Sequence, residues 1–110
     1  GRVTLSAHWR AEAAGSADLS VFVHLIGPDG KIAAQHDGRP CGGGCPTTAW
    51  SPGDELLDAH PVDLPAGLAP GRYRLAIGLY DPRSGVRRPR AGAPAGEPDF
   101  ALADAFELPP

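Results

Sequence analysis

The stretch Pro70-Gly71-Arg72-Tyr73-Arg74-Leu75-Ala76-Ile77-Gly78-Leu79-Tyr80-Asp81-Pro82-Arg83-Ser84-Gly85 holds a complete strand between two turns. Tyr73, Leu75, Ile77 and Leu79 fall on one face at period two, and Arg72, Arg74, Ala76 and Gly78 fall on the other. Pro70-Gly71 opens the run and Asp81-Pro82 closes it, which is the pattern of a hairpin strand in an antiparallel sandwich. The stretch specifies architecture, not chemistry.

Working outward, the same logic predicts further strands. Val3, Leu5, Ala7 and Trp9 alternate with Thr4, Ser6 and His8, so residues 3–9 form a strand with the first set inward. Residues 11–18 are small and polar and read as a loop, too short and Gly-interrupted for a helix. Residues 19–26 are apolar on both faces and belong in the middle of a sheet. Pro28-Asp29-Gly30 turns the chain into a strand over 31–37. A long loop rich in Gly, Pro and Cys follows at 38–53, and loops of that length in compact domains are functional or specially tied down. Strands are then expected over 55–62, at the Tyr73 run, at a short edge near 86–88 and over 100–108. Pro89, Pro94 and Pro98 exclude the interval before the last strand from a sheet interior. The expected fold is all-β, an immunoglobulin-like antiparallel β-sandwich of about seven strands.

Composition agrees. A chain of 110 residues is one domain, and 15 Gly with 13 Pro leave little room for long helices. A formal charge of -3 provides no basic field for nucleic acid, and the arginines between Arg83 and Arg90 are broken by Gly85 and Pro89 into a solvated hairpin. No apolar run approaches the roughly 20 residues that span a bilayer, so no membrane insertion by this chain is expected. Leu108-Pro109-Pro110 reads as a strand leaving the domain, which leaves open that the chain is a piece of a larger protein.

Cys41-Gly-Gly-Gly-Cys45 poses the sharpest chemical question. The flexible tether lets the two Cα atoms reach the separation of about 5.5 Å that a disulfide prefers. Closing so small a ring stabilises by only roughly 2 kcal/mol on the chain-entropy model, so its role is to freeze the loop. A disulfide implies an oxidising, extracytoplasmic compartment. The alternatives are a free or redox-active pair, and a zinc shell completed by His36 and His60. The all-Gly gap and the unpaired histidine spacing speak against zinc.

Three kinds of site are weighed. Catalysis would draw on His24, His36, Asp37, Asp58 and His60 meeting on one side of the sheet, but no nucleophile sits in a recognisable turn, so no catalytic residue is assigned. Calcium would draw on Asp29, Asp37 and Asp58, but no dense oxygen-ligand motif is present, and neither metal nor cofactor is expected. Sugar binding would use Trp50 as a stacking ring, with Gln35, His36, Asp37, Asp58 and His60 as tentative ligand residues. Against that, Trp9 reads as core and Trp50 as a plug at one end of the sandwich. The polar set around His36 equally reads as a buried hydrogen-bond network that fixes the long loop, and this is the favoured reading.

The motifs Phe22-Val-His24-Leu25, Asp29-Gly30, Ala34-Gln35-His36-Asp37-Gly38, Pro40, Pro46-Thr47-Thr48-x-Trp50-x-Pro52-Gly53, Asp58-x-His60, Leu64-Pro65, Pro70-Gly71-x-Tyr73 and Gly78-Leu79-Tyr80-Asp81-Pro82, in that order, carry a resemblance over nearly the whole chain. It resembles the carboxy-terminal extracytoplasmic β-sandwich of bacterial multi-pass membrane glycosyltransferases of the dolichyl-phosphate-mannose mannosyltransferase type and related hypothetical membrane proteins. The resemblance implies an accessory domain, because transferase chemistry in such proteins belongs to the membrane-embedded part, and it transfers no catalytic residue. The Cys41 and Cys45 pair departs from that pattern.

The resulting expectation is a non-catalytic extracytoplasmic accessory or binding module whose partner is a glycan or a protein. The alternative is a structural or self-associating subunit that pairs through exposed edge strands and through residues 1–5 and 100–110. A metal-dependent enzyme is the distant third.

Overall fold

The computed structural model describes residues 1–15, 17–89 and 99–110. Among the described residues there are seven strands: β1 (Arg2–Arg10), β2 (Ser20–Ile26), β3 (Ile32–Gly38), β4 (Glu55–Asp63), β5 (Gly71–Tyr80), β6 (Arg87–Arg88) and β7 (Ala101–Leu108). They form two antiparallel sheets. β1 pairs β4 in one, while the other runs β3-β2-β5, with β6 and β7 both pairing β5. This is the expected all-β, immunoglobulin-like sandwich.

The alternation of the Tyr73 run sets the layer. Tyr73 and Leu75 are buried on the face that meets Val21, Val23 and Leu25 of β2 and Val62 of β4, and these six form the core. Burying side chains of this size stabilises by about 1.5–3 kcal/mol each. Tyr73 also donates its hydroxyl to the Ala69 carbonyl at 2.7 Å and stacks on Phe106 with ring centres 4.9 Å apart. The hydroxyl thereby ties the turn before β5 to the strand, the tyrosine-corner device of immunoglobulin-like sandwiches.

β2 lies between β3 and β5, as its two apolar faces predict. Its second apolar face has a specific use. Phe22 points away from the core, is 3% exposed, and lies across Gly78 of the neighbouring strand, where a Cβ would sit 2.5 Å from the ring. Gly78 is therefore a seat for an aromatic ring on the outer face of the sheet.

In β1, Val3, Leu5, Ala7 and Trp9 face inward and the intervening polar residues face solvent. The strand extends one residue past each expected end, because Arg2 pairs with Asp63 and Arg10 with Glu55 across the ladder. The loop expected at 38–53 contains a kinked turn at Pro40–Gly43 and a single 3₁₀ turn at Thr47–Ala49, and Gly38 itself belongs to β3. Of the proline-punctuated interval, residues 90–98, with Arg90, Pro94 and Pro98, lie outside the described residues.

Candidate functional site

The cysteines form the expected disulfide, with Cα atoms 5.3 Å apart. Cys41 takes a left-handed conformation at φ 56°, and Gly42 and Gly43 continue it at φ 63° and 99°. Left-handed backbone costs a residue with a Cβ about 1 kcal/mol or more, so two of the three intervening residues are glycine for a backbone reason and Cys41 must be held by something else.

That something is Asp58. On β4, Asp58 and His60 sit two residues apart and so share the inward face, each only 2% exposed. The Asp58 carboxylate accepts three hydrogen bonds: from the Cys41 amide at 2.7 Å, from the Trp9 indole at 2.9 Å and from His60 Nε2 at 2.5 Å. Burial opposes the charged form of Asp58, but the Cys41 amide, Trp9 and His60 outweigh it and hold the carboxyl below its usual value. His36 reaches the same interior from β3, its ring 5.4 Å from that of His60. One buried carboxylate thus joins β1, β4 and the disulfide loop.

The rest of the loop is tied as firmly. Thr47 is buried, accepts the Leu19 amide at 2.9 Å and donates its hydroxyl to the Ala17 carbonyl at 2.6 Å. Trp50 donates its indole N–H to the Cys45 carbonyl at 3.0 Å and its backbone N–H to Thr47 at 3.1 Å. Arg39 pairs with Asp18.

The six ligand residues expected from sequence therefore divide into three places. His36, Asp58 and His60 converge inside the sandwich. Gln35 and Asp37 flank His36 on the same strand, so the period-two rule sends them to the opposite, outer face, and both are exposed. Trp50 stands at the end of the sandwich. The five-residue set considered for catalysis likewise separates, because His24 and Asp37 are on the outer face and the other three are inside. The three aspartates considered for calcium lie apart, since Asp29 caps the turn at the Lys31 amide while Asp37 and Asp58 occupy opposite faces. No group of three or more metal-ligating side chains occurs among the described residues.

The outer face holds a cluster that sequence reading passed over. Around Phe22 stand His24 at 5.0 Å and Tyr80 at 6.3 Å between ring centres, with the Arg87 guanidinium 4.2 Å above the ring. Tyr80 donates to Asp37 at 3.1 Å. Burial, the hydrogen bond and the Asp37 charge raise the Tyr80 pKa. Burial and the Arg87 charge lower that of His24, with Asp37 opposing them. The signal available in the sequence was a glycine in the middle of a strand, Gly78, opposite an aromatic residue in a polar register.

A cleft of about 610 Å³ opens at the end of the sandwich. Trp9, Trp50, Leu19, Ile77 and Leu79 form its walls, and Arg10 and Glu12 stand among the lining residues. The two indoles lie 6.3 Å apart at an interplanar angle of 41°. Both indole N–H groups are spent on protein acceptors, so what the tryptophans offer a ligand is ring surface. A second cleft of about 330 Å³ lies at the other end, beside Pro28, Leu68 and Tyr73.

What fold and site define together is an all-β sandwich with a disulfide-pinned loop and an aromatic-walled cleft. Comparison with protein-family models, curated proteins and solved structures found no match. Among the described residues no helix is long and apolar enough to cross a membrane.

Proposed function

We propose that this chain is a non-catalytic, extracytoplasmic accessory module that contacts a glycan through the Trp9 and Trp50 cleft. The cleft itself carries the reading. Its volume of about 610 Å³ is within the range of small-molecule sites, its walls are aromatic and aliphatic, and charged residues stand beside them to take hydroxyl groups. Indoles whose N–H groups are already satisfied present apolar faces, the part of a tryptophan that stacks on the apolar face of a pyranose.

The non-catalytic part rests on the state of the polar cluster. Asp58 is almost fully covered and three protein donors already bond to its oxygens, which leaves a substrate no path to it. An extracytoplasmic setting is supported by the disulfide and by the resemblance to the sandwich domain of membrane glycosyltransferases. In that setting the module would present a glycan to chemistry performed elsewhere. The test is a titration of tryptophan fluorescence against a panel of oligosaccharides, with Trp50→Ala as control. The reading expects a saturable change that the variant loses, and fails if no sugar alters the emission.

A further inference from the structure

We propose that two copies of this chain associate by pairing their β1 strands edge to edge, antiparallel, about a two-fold axis at Ala7. The strand shares Trp9 and Arg10, and Glu12 beside it, with the rim of the cleft, but the proposal does not rest on the glycan reading.

The observation is an unequal treatment of sheet edges. Natural sandwiches blunt exposed edges with charged side chains, prolines, bulges, short strands or covering loops, and of these β1 has only the first, Arg2 and Arg10 at its ends. Here β6 is two residues long, β3 slips register between Leu25 and Ile26 of its neighbour, and β7 slips between Tyr73 and Arg74. The far edge of β4 contains Pro61, which has no N–H, and the disulfide loop covers it, bringing Cys41 Sγ to 3.7 Å from the Leu57 carbonyl oxygen. β1 differs from them all. It runs nine residues without Pro or Gly, keeps unbroken register with β4, and pairs with no other strand among the described residues.

The sequence of β1 selects the partner and the register. An antiparallel copy must oppose inward to inward residues, since a one-residue slip would bring the Val3, Leu5, Ala7 and Trp9 stripe against solvent-facing side chains. Centring on Ser6 sets Arg2 against Arg10 at both ends, which repels. Centring on Leu5 sets Arg2 against His8 and gains no opposite charge. Centring on Ala7 sets Arg2 of each copy opposite Glu12 of the other, exchanging the exposed in-chain pairs Arg2–Asp63 and Arg10–Glu12 for pairs between copies, and sets Leu5 against Trp9 and Ser6 against His8. Opposite charges and an aromatic with an aliphatic residue are the stabilising cross-strand pairs. The isologous result is one four-stranded sheet continuous across the two copies.

The test combines sedimentation with cross-linking on the full chain. The wild type is expected to pass from monomer to dimer with rising concentration. Glu12→Arg, which opposes Arg2 of the other copy, is expected to weaken the dimer about tenfold, and adding Arg2→Glu is expected to restore it. Ser6→Cys and His8→Cys, both on the solvent face, should form an intermolecular disulfide only when the two variants are mixed, because directly opposed residues lie at about 4.5–5.5 Å while like positions do not. A monomer up to the solubility limit would overturn the proposal. So would a dimer indifferent to the charge reversal, or cross-linking of either variant with itself but not with the other, since each locates the interface elsewhere or in another register.

Discussion

Asp58 on β4 accepts the backbone N–H of Cys41 at 2.7 Å, across 17 residues of sequence. The bond places a buried carboxylate beneath the one non-glycine residue with left-handed φ among those described. A loop with three consecutive glycines has a large conformational entropy to lose, and here a charge-assisted hydrogen bond and a disulfide converge on the same residue to fix it.

Removing the hub should be costly. Asp58→Ala strands the Trp9 indole, the Cys41 amide and His60 without their shared acceptor. Urea unfolding is expected to show a loss of about 3 kcal/mol or more, the scale of buried donors left unsatisfied. Asp58→Asn keeps the shape and one acceptor oxygen and should cost less. Equal and negligible losses for both would mean that the network contributes nothing to stability.

The same carboxylate sets an acid limit. Its folded pKa lies below the unfolded value of 3.8, so the native state binds fewer protons there than the unfolded chain. The stabilisation is complete above that value and disappears as pH falls through the lower folded pKa. Unfolding free energy measured on both sides of pH 4 should decline with acid in the wild type, and by less in Asp58→Asn.

His24 has the same sign of linkage at higher pH. Burial and the Arg87 charge keep its folded pKa below 6.5, so its contribution is present above that value and lost as pH falls through the folded pKa. Proton NMR titration of the ring should place its midpoint below 6.5, and Arg87→Gln should move it upward.

Gly78→Ala would drive a Cβ to 2.5 Å from the Phe22 ring and 2.8 Å from the Asp99 carbonyl oxygen. A loss of about 2–3 kcal/mol is expected from this overpacking. A double-mutant cycle with Phe22→Ala should recover part of it if ring contact is the cause, because the smaller side chain vacates the space above residue 78.

Reduction of the Cys41 to Cys45 disulfide should lower stability by about 2 kcal/mol. Because the Trp50 indole donates to the Cys45 carbonyl, the reduced chain should also show altered tryptophan emission before unfolding. Unchanged emission would show that Asp58 and Thr47 hold the loop without the bridge.

The layers of this fold were legible because burial at period two leaves its mark in the local sequence. The alternation in β1 and β5 and the two apolar faces of β2 each announced their place. The candidate site was legible only where that same rule applies. It puts Asp58 and His60 on one face, and it also separates Gln35 and Asp37 from His36, a consequence that grouping these neighbours as one site ignored. The hydrogen bonds from Trp9 and Cys41 to Asp58 could not be read, because they join residues 49 and 17 apart and depend on how the sheets pack. The Phe22 seat on Gly78 is cross-strand in the same way, and a single sequence marks it only by a glycine where a strand has no need of one.

The account's central claim is that the buried polar cluster serves the fold while the tryptophan-walled cleft meets the ligand. Mapping amide chemical-shift changes during titration with the oligosaccharide panel tests it most directly. The account predicts shifts confined to Ala11, Glu12, Thr47, Trp50 and Leu79, with His36, Asp58 and His60 unmoved; shifts centred on those three residues, or none with any sugar, would contradict it.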